Sequence, residues 1–173
     1  MTKTEIREAF ARLDVRLRDR GLALSIDVAG GAVMALVYDG RDSTKDVDAI
    51  RVHGCPSDVW RALVAEVGRE LSLPDDWLNS RASAFAMNCS RGPVLHAGDH
   101  LKVTAVSAAQ MLAMKLSAMR DEVDYQDARL LLVRFSADKE GVWRLVEPFL
   151  VPGMEAWRRQ NFDALWRDAH GPG

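Results

Sequence analysis

Two aspartates one residue apart, Asp46 and Asp48, follow the doubled glycine Gly30-Gly31 across a short apolar stretch. Residues Val47 to Val52 predict a strand, and residues two apart on a strand share a face. The spacing therefore sets two carboxylates side by side. Like charges held that way repel unless a cation or a proton lies between them. Hard oxygen ligands on a rigid edge suit Mg²⁺, which takes one or two carboxylates and completes its shell with phosphate and water. A glycine pair ahead of them lets a backbone come close to a phosphate chain. The chemistry these parts suggest is the handling of a nucleoside triphosphate.

The elements that must position these residues are legible in the apolar pattern. Ile6, Phe10, Leu13 and Leu17 recur at helical spacing, with Thr4 as the expected cap and Gly21 as the stop. Leu22, Leu24, Ile26 and Val28 alternate as a half-buried strand that runs into Gly30-Gly31. A short helix to about Val37 and a turn at Asp39-Gly40 then lead to the carboxylate strand. After the break at Gly54-Cys55-Pro56, Ser57 is the expected cap of a helix carrying Trp60, Leu63, Val64, Val67 and Leu71. Residues 72–100 are rich in Pro, Gly, Asp and Asn and give no clear element, although Trp77, Leu78 and Phe85 should be buried. Leu101 to Val106 alternates as a strand. Ser107 and Gln110 have the form of a capping box, which opens a helix from Met111 to about Arg120. Further helices are expected near 124–133, 139–147 and 154–168. The resulting expectation is an α+β fold, a mixed sheet flanked by helices over 1–106 with a C-terminal helical lobe over 107–173, packed as one compact unit.

Composition narrows the classes. A chain of 173 residues with 48% apolar and 28% charged residues is a globular protein with room for a substantial core. The net charge of −2 excludes a uniformly basic surface but permits a local basic patch. No apolar run is long enough to span a bilayer, and the charged start reads as an amphipathic helix and not a secretory signal. Cys55 and Cys89 form no metal or redox motif, which suits reduced thiols in a cytoplasmic protein. His53, His96, His100 and His170 lack ligand spacing, and a zinc site is not expected.

Three segments resemble the nucleotidyltransferase superfamily, the polymerase-beta-like fold. They are Gly30-Gly31-Ala32, then Arg41 to Ala49 with Ser43-Thr44-Lys45-Asp46-Val47-Asp48, and then Leu112 to Leu116 with Asp124-Tyr125-Gln126-Asp127. The closest likeness is to abortive-infection toxin nucleotidyltransferases of the AbiEii type and an uncharacterised sister family. The resemblance implies nucleotide transfer from an NTP with Mg²⁺ or Mn²⁺ as cofactor. Gly30 and Gly31 would face the triphosphate, and Thr44 would bond a phosphate oxygen, with Ser43 and Lys45 beside it. Asp46 and Asp48 would hold the metal, Lys115 would meet the triphosphate, and Asp127 or Asp124 would act from the helical lobe. The chain departs from many members in one respect: its strand 101–106 has no third carboxylate, and Asp99 just before it is the nearest substitute.

Each of these residues has a structural reading beside the functional one. Gly30-Gly31 can be a tight turn, Lys115 can snorkel to solvent, and Asp124 and Asp127 can simply begin a helix. The methionines 111, 114 and 119 and the tryptophans 143, 157 and 166 read as core of the helical half. Arg129, Arg134, Arg144, Arg158, Arg159 and Arg167 read as solvated, or as one basic side of it. Two functions follow. The first is a Mg²⁺-dependent nucleotidyltransferase acting on an RNA hydroxyl, tRNA being the family-like choice, or on a protein hydroxyl, as the toxin of a toxin–antitoxin pair with a cognate antitoxin as partner. The alternative is a non-catalytic nucleotide- or partner-binding module on the same fold.

Overall fold

A computed structural model of the chain describes residues 1–85, 88–153 and 155–171, with Phe85 as backbone only, so its expected burial lies outside the described residues. The chain divides into two units. One comprises Met1–Ala84 with Arg91–Val106, and the other Phe85–Ser90 with Ser107–Gly173. The division after Val106 falls where the alternating pattern ends, but the short segment before Arg91 belongs with the helices.

The first unit is α+β. It contains α1 (Lys3–Asp19), β1 (Leu24–Ala29), α2 (Gly30–Leu36), β2 (Val47–His53), α3 (Ser57–Leu71), β3 (Leu78–Asn79), β4 (Val94–Ala97) and β5 (Leu101–Ala105). The strands form one mixed sheet in the order β3-β2-β1-β5-β4. β1 runs antiparallel to β2 and parallel to β5. The registers sort the side chains into two faces. Leu24, Ile26 and Val28 lie beside Leu101, Val103 and Ala105, and all six are buried. His96 of β4 stands opposite Val103 in this set and meets Phe10 of α1, ring to ring, at 6.2 Å. The apolar face therefore carries α1. Phe10 also meets Trp77 at 6.0 Å, and the Trp77 indole donates to the Val64 carbonyl of α3 at 3.0 Å. That bond satisfies a buried polar atom in an apolar core.

Alternation gives the opposite face a different composition. Ser25 lies beside Lys102, and Asp27 beside Thr104. Asp27 also pairs with Arg51, and Ala29 with Asp48, across a bulge that leaves Ile50 without an opposite residue. The bulge lets Asp48 and Arg51, three apart in sequence, serve the same face.

The second unit is helical: α4 (Ala108–Ala118), α5 (Glu122–Leu132), α6 (Lys139–Val146) and α7 (Glu155–His170). Met119 ends α4 in the left-handed conformation at φ 35°, and Asp121 caps α5 by accepting from the Asp124 amide. These two signals fold α5 back along α4.

Several expectations need correction. Thr2, not Thr4, caps α1, in a reciprocal capping box with Glu5. The cap of α3 is Pro56, and Ser57 is already inside the helix without a capping bond. Ser107 does accept from the Gln110 amide, but the Gln110 side chain does not return to Ser107. It bonds the Ser90 amide and the Asn88 carbonyl instead, tying residues 88–90 to α4. Within 72–100 the chain forms β3, a 3₁₀ turn at Arg81–Phe85 and β4. Trp143 is buried as expected, but Trp157 is exposed. Arg158 is not a surface arginine: it is 4% exposed and donates to the Val151 carbonyl.

Candidate functional site

The site builds from the turn that joins β1 to α2. Gly30 adopts φ 73°, a conformation that costs L-residues with a side chain roughly 1–2 kcal/mol. A Cβ there would also lie 2.4 Å from Asp48 Oδ2. At Gly31 a Cβ would meet Thr44 Oγ1 at 2.3 Å and an Arg41 guanidinium nitrogen at 3.3 Å. A side chain at either position would have to displace Asp48 or Thr44, and at Gly30 the positive φ disfavours one in any case. The space such side chains would fill is held by the Asp48 carboxylate and the Thr44 hydroxyl. Gly30, Gly31, Thr44 and Asp48 thus form one constellation from three separate stretches of chain.

Thr44 is fixed from two sides. Its backbone N–H donates to the Met1 carbonyl at 2.8 Å, next to an isolated bridge between Thr2 and Ser43. Its hydroxyl donates to the Asp46 carbonyl at 3.2 Å. Ser43 and Lys45 are exposed, while Thr44, Asp46 and Asp48 are half-buried.

Asp46 is held differently from what the strand argument implies. β2 begins at Val47, so Asp46 lies one residue outside the ladder and alternation does not set its direction. The Asn79 amide does: its Nδ2 donates to Asp46 Oδ2 at 2.9 Å. Asn79 stands opposite Asp48 in the β2–β3 register and is itself anchored by accepting from the Arg81 amide at 3.0 Å. The Arg81 guanidinium lies 3.9 Å from Asp46 Oδ2 and pairs with Asp76. Asn79 and Arg81 escaped the sequence reading because they lie in a stretch with no periodicity.

Asp27 escaped it too. The strand was traced through its apolar residues, and Asp27 stands between two of them. It is 6% exposed on the central strand, beside Thr104 of β5. Residues two apart on β1 share a face, so Asp27 and Ala29 do, and Ala29 is the partner of Asp48. Asp27 therefore places an acid on the same face as Asp48, one strand over from the strand that lacks one. Asp99 cannot play that part: it precedes β5 at the end paired with Leu24, whereas Asp48 lies at the Ala29 end.

In the helical unit, Lys115 neither snorkels nor stands free. Its ammonium lies 2.7 Å from Asp124 and 2.6 Å from Asp127, with side chains 9%, 3% and 4% exposed. Arg120 adds a second cation to Asp124 at 2.9 Å. Burial pushes the Asp124 carboxyl up, but hydrogen bonds from Arg120 and Lys115 and the Lys115 charge outweigh it and hold it at about 2. The group is formally neutral, Lys115 and Arg120 against Asp124 and Asp127.

The donors at the sheet site suit a hard divalent cation: two half-buried carboxylates and a hydroxyl. Among the described residues no three His, Cys, Asp or Glu side chains gather as a ready cage. Mg²⁺ needs none, since one or two carboxylates plus phosphate and water suffice. No known family matches the chain, and neither the curated proteins nor the solved structures contain a match to it. No helix among the described residues is long and apolar enough to cross a membrane.

Proposed function

We propose that the protein is a Mg²⁺-dependent nucleotidyltransferase whose centre lies on the sheet unit at Gly30, Gly31, Thr44, Asp46 and Asp48. The observation that carries this reading is the closure of the glycine turn on Asp48 and Thr44, within 2.4 Å of where Cβ atoms would stand. In the reaction, an acceptor hydroxyl oxygen bonds the α-phosphorus of an NTP, the α–β bridging bond breaks, pyrophosphate leaves, and the hydroxyl proton passes to a base or to water. Asp46 and Asp48 would hold the metal, with Mn²⁺ as a substitute, and Thr44 would donate to a phosphate oxygen. A cation held there would supply neutralisation of the charge that develops on the reacting phosphates. The remaining contribution of the chain is positioning and electrostatics. The acceptor in this reading is a hydroxyl of an RNA, tRNA being the family-like choice, or of a protein, and the setting is a cytoplasmic toxin with a cognate antitoxin.

The same geometry favours a second reading in one respect. β5 carries no acid, and Asp46 is already bonded by Asn79. A module that binds nucleotide, or a partner protein, without transferring anything would have these features. Incubation with each labelled NTP and total RNA, with and without Mg²⁺, separates the two. Transfer of label that needs Mg²⁺ and disappears in a folded Asp46→Ala/Asp48→Ala variant is expected. Unchanged transfer in that variant refutes the assignment, and nucleotide binding with no transfer under any condition supports the module.

A further inference from the structure

We propose that a groove beside Asp46 is a nucleobase-binding subsite. The inference rests on the nucleotide-handling reading above and adds the part of the ligand that lies outside the phosphates. A cavity of about 240 Å³ opens among Trp60, Arg61, Val64, Leu78, Asn79 and Arg81. All of these belong to the sheet unit. Its volume falls below the roughly 300–1,000 Å³ of sites that enclose drug-sized ligands. It equals about eight waters at ~30 Å³ each, so it admits one planar ring system and not a whole nucleotide.

The walls choose the kind of ring. Val64, Leu78 and the Trp60 indole give an apolar floor, and all three are buried. The Arg61 guanidinium lies over the Trp60 ring at 5.5 Å and reaches the Ser80 hydroxyl at 3.4 Å. An exposed guanidinium beside an indole offers a flat, cationic face on which a heteroaromatic ring can stack. The rim carries Arg61 and Arg81 against Asp75 and Asp76, a formal charge of zero. A phosphate would call for net positive charge. A neutral rim with donors and acceptors on both sides suits the edge of a neutral base.

Position then links the groove to the chemistry. Asn79 and Arg81 line it on one side, and the same two residues reach Asp46, at 2.9 and 3.9 Å. A base seated in the groove would direct its sugar and phosphate toward the carboxylates. The groove serves either the base of the NTP or the terminal base of the acceptor, and the two are separable.

Equilibrium binding without Mg²⁺ and without turnover tests the proposal. Adenosine, guanosine, cytidine and uridine are titrated into the full chain by calorimetry, then the four NTPs, then dinucleotides that differ in the 3′ base. The expected result is binding of at least one nucleoside, a Kd raised tenfold or more by Arg61→Ala, and partial recovery in Arg61→Lys. Arg61 is exposed on α3, so the fold should tolerate both changes, and circular dichroism verifies it. Base preference that flattens for NTPs in Arg61→Ala assigns the groove to the donor. Flattening for dinucleotides assigns it to the acceptor. The proposal is overturned if no nucleoside binds, or if Arg61→Ala and Ser80→Trp, the latter filling the groove, both bind every probe as the wild type does. Because no step needs catalysis, absent transfer alongside intact nucleoside binding would overturn the transferase reading and leave the groove standing.

Discussion

Replacing Lys115 by methionine should destabilise the helical unit strongly at neutral pH and less so in acid. The ammonium stands 2.7 and 2.6 Å from two carboxylates that are almost fully buried. At an effective dielectric near 20, each such pair is worth about 6 kcal/mol of gross attraction. Desolvation of the three ions offsets most of that. What remains when one partner is removed from a buried pair is about 3–5 kcal/mol, because charge is left buried without its counter-ion. Asp124 would keep Arg120, and both carboxylates would lose the Lys115 ammonium. The acid dependence has a definite sign. The Asp124 carboxyl is held at about 2, below its ordinary 3.8. Its contribution, on the order of 2 kcal/mol, is present above pH 3.8 and is lost as pH falls toward 2. In Lys115→Met the depression weakens, so the gap between variant and wild type should narrow as pH falls from 7 to 3. Urea unfolding followed by far-UV circular dichroism at several pH values measures this. A difference under about 1 kcal/mol at pH 7, against the 3–5 expected for a broken buried pair, or a gap that widens in acid, would refute the reasoning.

Two further outcomes follow from the sheet unit. Gly30→Ala should cost roughly 1–2 kcal/mol of stability from its positive φ and should also displace the Asp48 carboxylate, so that nucleotide transfer falls far more than the melting temperature does. A variant with unaltered transfer would disconnect the glycine turn from the chemistry. Asp14 accepts from the amides of His100 and Leu101 at 2.9 and 2.5 Å, so Asp14→Ala should destabilise by about 2–3 kcal/mol, with Asp14→Asn milder because it keeps an acceptor. Equal chemical-denaturation midpoints for wild type and Asp14→Ala would contradict that.

Much of the frame was readable because burial writes a period into the chain. Ile6, Phe10, Leu13 and Leu17 marked α1, and Leu24, Ile26 and Val28 marked β1, since each set must face one side. The same logic concealed what mattered between them. Asp27 sits in a strand recognised by its apolar neighbours, and only the register with β2 and β5 shows which acids and bases share its face. β4 was not visible: Val94 and Ala97 are exposed and Leu95 and His96 half-buried, so the edge strand has no alternation to find. Thr2 with Glu5 three residues on was a readable capping box, passed over for the threonine nearer the apolar stripe. The Asp46–Asn79 bond joins residues 33 apart, and local spacing carries no signal for it.

A triphosphate contact is hardest to reconcile with the surroundings of Lys115. A lysine that meets a triphosphate must have its charge available at modest cost. Here it is already matched by two buried carboxylates, and engaging a phosphate would mean breaking pairs of the kind that cost several kcal/mol each to leave unsatisfied. The geometry therefore suits a lock between α4 and α5 better than a ligand contact. Loss of NTP binding in Lys115→Ala cannot separate these roles, because a loosened hairpin would weaken binding too. Removing the charges together can. Lys115→Met with Asp124→Leu and Asp127→Leu replaces the buried ions as a set by apolar side chains, and such replacements are often neutral or stabilising. If that triple variant regains stability and still binds NTP like the wild type, Lys115 is a lock. If it regains stability but binds NTP at least tenfold more weakly, with the far-UV spectrum unchanged, the ammonium or its carboxylates touch the nucleotide after all.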